Sequence, residues 1–213
     1  MLVDSFIMAG AIGMAKQATE TGKSKLSTMM DEGKKNFVNL FLAEILVGLL
    51  SLAGIVLMVP GAMKIDFTDF TALTSPKNTD AIILLAGGFI LWIVYLLIIG
   101  ITMAVFMYAL VVDNLGPIES ITTSFGFFKK NWVDVILLLL IVIAIGVVFF
   151  IIDWIMAFIP IINIIWPFVS FLISILILQP LYTIWWIRLY MTRTDKKIYI
   201  NDLLAHPNDL KNP

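Results

Sequence analysis

The sequence predicts an all-α integral membrane bundle with about four full spans, a partial amino-terminal helix and amphipathic interfacial helices. Two compositional facts lead there. Of 213 residues, 61% are hydrophobic and 14% charged, against about 45–50% and about 25% in a soluble globular chain. With a mean hydropathy of +1.01, the chain cannot cover its own surface with polar groups, and lipid is its solvent. The third observation is how the charges are spaced. Ala81–Val112, Val135–Ile152 and Trp154–Ile187 carry none, and each reaches the roughly 18 residues that flag a lipid-crossing helix.

The elements follow in chain order. Residues 37–59 form the first span, ended by Pro60-Gly61 and containing a single carboxylate, Glu44. The second span, 81–112, is longer than the hydrocarbon core is thick and must tilt or protrude. The third lies near 133–159 and the fourth near 164–187. The turn between them falls around Asp153–Asn163, because Pro160 and Pro167 flank the most breakable stretch. Residues 1–192 read as one transmembrane domain, followed by a polar tail, 193–213.

Two amphipathic helices are expected, near 23–36 and 117–131. After Gly116-Pro117 come Ile118, Ile121, Phe125, Phe128 and Trp132, one apolar stripe at helical spacing. The other face, turned away from the acyl chains, carries Glu119, Ser120, Thr122, Thr123, Ser124, Lys129 and Lys130. The earlier segment repeats the stripe more weakly as Leu26, Met30, Gly33 and Phe37. Such a helix lies in the headgroup plane, and its paired lysines suit anionic lipid.

Shifting the chain by 95 positions superposes Lys34-Lys35-Asn36-Phe37-Val38-Asn39 on Lys129-Lys130-Asn131-Trp132-Val133-Asp134, and Leu26-Ser27-Thr28 on Ile121-Thr122-Thr123. Both copies run in the same direction, which describes a parallel internal repeat. In this register residues 1–16 match only half of a span. A late start, a half-buried helix and an interfacial helix all fit; a half-length helix packed against the bundle is favoured. Asp4 stands where a signal peptide has its basic leader, which argues against a cleaved leader.

Orientation follows from Lys and Arg. With both termini in the cytoplasm, twelve of the 14 basic residues face inward and only Lys64 and Lys77 outward, as the positive-inside rule requires. The expected location is the cell membrane. Tyr182, Trp185, Trp186 and Tyr190, with Trp132, read as an aromatic belt at the inner interface.

Chemistry is sparse. The chain has no cysteine and one histidine, His206, so thiolate chemistry and multi-histidine metal sites are excluded. No P-loop, HExxH or nucleophile elbow occurs, and Asp66 and Asp69 resemble a metal fragment only superficially. The net charge of −1 offers nothing to nucleic acid. No catalytic, cofactor-binding or metal-binding residue is expected, and the chain reads as a non-enzyme. The candidate functional residues are Glu44, Lys129, Lys130, Asp134, Phe125 and Phe128. Glu44 qualifies because an intramembrane carboxylate is expensive, although it could snorkel or pair with Lys35, Lys129 or Lys130.

Gly116-Pro117-Ile118-Glu119-Ser120, the following Ser124 and Lys129-Lys130-Asn131-Trp132 together resemble a family of uncharacterised multi-pass membrane proteins widespread in archaea. The stretch from Gly22-Lys23 to Asn36-Phe37 matches as the sister unit. That family is similar to the membrane domain fused to some bacterial glycerophosphodiester phosphodiesterases. The resemblance covers most of residues 5–190 and marks layout rather than chemistry. No phosphodiesterase domain is present, so it carries over no catalytic residue.

The function expected is that of a non-enzymatic scaffold or a subunit that interacts with lipids and partners through its interfacial helices. Its partners would be membrane lipids and other membrane proteins or further copies of itself. The alternative is a small oligomeric transporter or channel with Glu44 in its pathway.

Overall fold

The computed structural model describes residues 2–64 and 79–199. Among them the chain is helical, with no strand. The helices are α1 (Leu2–Thr21), α2 (Leu26–Ala53), α3 (Val59–Ala62), α4 (Thr79–Thr102), α5 (Phe106–Asp113), α6 (Pro117–Ala157), α7 (Ile162–Ile173) and α8 (Gln179–Arg193). Four continuous stretches are long and apolar enough to cross a membrane: Leu26–Ala62, Thr79–Asp113, Pro117–Ala157 and Ile162–Arg193. The chain divides into two compact units, one of residues 1–43 with 105–213 and one of residues 44–104.

In the first unit α1 packs against α2, α5 and α8. Its buried face is made of Ser5, Ala9, Ile12 and Thr19, spaced at helical steps. Small residues let backbones approach closely, the usual means of helix association in lipid. Gly10 and Gly13 extend that face onto α2. A Cβ at Gly10 would stand 2.6 Å from the Met29 carbonyl oxygen, and one at Gly13 would overlap the Glu32 side chain. Phe6 meets Phe37 edge to face at 6.2 Å. The remaining core includes Leu40, Val105, Phe106, Ala109 to Val112, Phe127, Val135, Trp186, Ile187, Tyr190 and Met191.

Turn chemistry sets the joints. Gly22 closes α1 at φ +72°, a left-handed conformation that glycine tolerates best. Across that turn the Gln17 side-chain carbonyl accepts from the Lys25 N–H and the Thr28 hydroxyl. Asn114 plays the part of Gly22 after α5, at φ +54°. Pro117 then opens α6 at its first position, and Glu119 reaches back to the Gly116 N–H at 3.2 Å.

The first expected interfacial segment is continuous with its span: nothing breaks α2 between Leu26 and Ala53. In α6 two helical segments meet across a kink at Asn131 (φ −126°, ψ 32°), at the expected end of the second. There the Asn131 Nδ2 donates to the Phe127 carbonyl four residues back, a side-chain insertion of the kind that bends helices. The 81–112 run also differs from one long helix: it breaks after Thr102, whose hydroxyl donates to the Ile98 and Ile99 carbonyls.

Pro180 follows a widened π-type turn, Ser174–Leu178. That geometry relieves the clash between a proline ring and the preceding turn. Between α6 and α7, Ile161 sits at φ +74°, a genuine outlier for a β-branched residue.

In the second unit α4 runs against the end of α2, a 3₁₀ turn (Gly54–Met58) and α3. Gly54 meets the Trp92 and Tyr95 rings, while Gly61 and Gly88 lie directly on backbone of the opposite arm of this helical hairpin. Trp92 Nε1 donates to the Ser51 carbonyl at 3.3 Å and Tyr95 Oη to the Leu50 carbonyl at 2.7 Å. Both acceptors lie just before α-helix gives way to 3₁₀, so the rings tie α4 to the point where the helix changes.

Gly10→Ala forces a methyl group onto the Met29 backbone and is expected to destabilise the protein by about 1–3 kcal/mol. Gly126→Ala meets no atom within 4 Å and should be neutral or mildly stabilising. Thermal unfolding of both variants in the same detergent checks the contrast.

Candidate functional site

Two features of the first unit could carry function: a polar network at one end of the α1–α5–α8 core, and the opening segment of α6 beside it.

The network is centred on Asp113. A carboxylate at the last residue of a helix faces the negative end of its dipole, so it requires compensation. Tyr190 donates its hydroxyl to Asp113 Oδ2 at 2.6 Å, and Lys196 forms an ion pair with Oδ1. Tyr190 is 1% exposed and its ring packs on Phe127 at 5.3 Å. Lys16 Nζ donates to the Val112 carbonyl at 2.9 Å, satisfying a carbonyl in the last turn of α5. Asp195, at φ +53°, turns the chain after α8 and brings Lys196 back to the network. Burial, then the nearby Lys16, hold the Lys196 ammonium below the usual lysine range, while Glu20 opposes the shift. The contacting Asp113 carboxylate also favours the charged form.

These partners fasten α1, α5, α8 and the start of the tail to one another. Sequence reasoning missed the constellation. Its available signal was Asp113 itself, an acid at the end of a charge-free run with no cation near it in sequence.

Among the residues singled out from sequence, Asp134 pairs with Arg193 of α8 at 2.8 Å, joining α6 to α8. Phe125, Lys129 and Lys130 are exposed on α6, and Phe128 is half-buried there. Glu44 is half-buried on α2, in the second unit. Asp66, Asp69 and His206 lie outside the described residues. Among the described residues no group of three His, Cys, Asp or Glu could hold a metal ion. Trp186 and Tyr190, expected as interface anchors, are buried instead, Trp186 stacked on Tyr108 at 6.2 Å.

The first part of α6 has three faces when its residues are set at about 100° each. Ser120, Ser124 and Phe127 are buried and dock the helix. Next around the helix comes the stripe, with Ile118 69%, Phe125 56% and Trp132 55% exposed. The third face presents Glu119, Thr122, Gly126 and Lys130 to the outside. The hydroxyls grouped by sequence with the outward positions thus split: Ser120 and Ser124 turn inward, Ser120 donating to the Pro117 carbonyl at 2.8 Å.

Tyr190→Phe removes one of the two contacts to Asp113 and is expected to cost about 1.5–3 kcal/mol, as for a hydrogen bond to a charged group. Tyr182→Phe, on the same helix and half-buried, should stay within about 0.5 kcal/mol of the parent. Denaturation midpoints of the two variants provide the comparison.

A family model described as a domain of unknown function, DUF7847, matches residues 1–184. No curated protein and no solved structure matches the chain.

Proposed function

The chain belongs to the DUF7847 family, and we propose that it is a non-enzymatic membrane scaffold that engages lipids and partner proteins through the opening segment of α6. The three-faced arrangement of that segment carries the reading. Ser120, Ser124 and Phe127 hold it on the protein while Ile118, Phe125 and Trp132 point outward. A large apolar stripe left outside a fold marks an interaction surface. Beside it stand exposed Lys129 and Lys130, which add attraction to anionic headgroups of about 1 kcal/mol per residue. The helix then lies in the headgroup plane with its stripe toward the acyl chains.

Three finer elements belong to this reading. Both termini face the cytoplasm of a cell membrane, on the distribution of Lys and Arg. The α1–α2 and α5–α6 joints derive from one duplicated unit; their left-handed turns at Gly22 and Asn114, each leading into a long helix, support that origin. The similarity to archaeal multi-pass proteins and to the phosphodiesterase-fused membrane domain is one of layout.

The absence of cysteine makes the test direct. Nitroxide labels at Ile118→Cys, Phe125→Cys and Gly126→Cys in anionic nanodiscs report collisions with oxygen and with a water-soluble nickel chelate. The first two should be oxygen-rich and nickel-poor, and Gly126 the reverse. Equal nickel access at all three would sink the proposal. On the same reading Glu44→Gln leaves ion and solute flux in liposomes unchanged, whereas loss of a measurable flux would support the oligomeric transporter.

A further inference from the structure

From residue 135 to residue 187 the chain carries one charge, Asp153. It lies four residues before the end of α6, half-buried against α7. An ionisable side chain in so apolar a region requires an explanation and a partner. Its Oδ1 accepts from Trp166 Nε1 at 2.7 Å and from the Ser170 hydroxyl at 2.9 Å. Both donors are neutral: they solvate a carboxylate without neutralising it. No described Lys or Arg forms an ion pair with it.

Beside this carboxylate is a cavity of about 430 Å³ between α6 and α7. Trp166 and Ser170 of α7 and Ser174 at the start of the π-type turn follow one another at steps of four, so one face of the continuing helix supplies them. Asn163 and Phe171 complete the walls that matter here. The volume is far larger than a bare metal ion needs, since a water takes about 30 Å³. A lone carboxylate is also a poor ligand set for a divalent cation. An anion, two aromatic rings and a few hydroxyl and amide groups instead suit a cation with an organic body.

We propose that the α6–α7 cavity binds an organic ammonium group. Asp153 neutralises it, Trp166 and Phe171 offer ring surfaces to its carbon substituents, and Asn163 and Ser174 accept its N–H groups or attached hydroxyls. The ammonium can come from a lipid headgroup or from a soluble amine, and the test separates the two.

The Trp166 indole N–H is the probe, because it donates to the Asp153 carboxylate; its ¹H–¹⁵N resonance is assigned by Trp166→Phe. The protein is placed in phosphatidylglycerol nanodiscs and titrated with ethanolamine and, separately, with choline. A second sample in phosphatidylethanolamine nanodiscs receives no additive. A saturable shift on titration identifies a soluble amine. The shifted position already present in phosphatidylethanolamine identifies the lipid headgroup. Asp153→Asn keeps an acceptor for Trp166 and Ser170 but loses the charge, and should weaken either response about tenfold or more. Phe171→Leu, at a position more than half exposed, should weaken it several-fold without threatening the fold. No shift from either source, or an equal shift in Asp153→Asn, overturns the proposal.

Discussion

In hydrocarbon each backbone N–H and C=O has to be paired inside the protein, because no water is there to replace a missing partner. Unbroken helix meets that demand alone, and several interruptions of helix among the described residues carry a side-chain hydrogen bond to a nearby carbonyl. Where α2 tightens to 3₁₀, the Tyr95 hydroxyl and the Trp92 indole arrive from α4 at the Leu50 and Ser51 carbonyls. At the Asn131 kink the side chain of the kinked residue serves the Phe127 carbonyl. After α4, Thr102 serves two carbonyls, and past α8 Thr194 donates to the Tyr190 carbonyl. Among the described residues no buried side-chain polar atom lacks a partner. Side-chain donors thus gather at the bends and ends of these helices, where they add to the backbone's own hydrogen bonds.

The same solvent explains why so little of the spans is buried. Between helices surrounded by lipid the hydrophobic effect offers little, and association depends on close packing and hydrogen bonds. The first unit accordingly concentrates its tight packing where small residues and polar anchors coincide. Ser5, Ala9 and Gly10 of α1 form the small surface, and Asp113, Tyr190 and Lys196 close its end. In the second unit Gly54, Gly61 and Gly88 perform the corresponding service for a hairpin of helices. Most apolar side chains of the spans remain outward, available to acyl chains.

Much of the architecture is legible in the sequence because membrane length is a strong constraint. Charge-free runs located three of the four apolar stretches, a run whose single charge is Glu44 located the first, and Gly116-Pro117 located the start of α6. The break after Thr102 is invisible there: a threonine in an apolar run looks the same whether or not the helix stops at it. Periodicity found the stripe from Ile118 to Trp132 but grouped Ser120 and Ser124 with the outward positions. A serine buried at a helix contact has the same hydropathy as one in water, and only packing tells them apart. Asp113 and Lys196 are 83 residues apart, joined by a turn at Asp195 with no sequence signature. Trp166 and Ser170 converge on Asp153 across a turn that includes Ile161 in a conformation rare for isoleucine.

The central proposal is that lipid, not water, surrounds the outward apolar faces, with the α1–α2 and α5–α6 joints on one side of the membrane. Single cysteines at Lys23, Lys130 and Lys64, labelled with an impermeant maleimide in sealed right-side-out vesicles, test it most directly. The account predicts that position 64 reacts from outside, while positions 23 and 130 react only after the vesicles are opened. Reaction of all three from outside would contradict it, as would position 64 reacting only with the other two after opening.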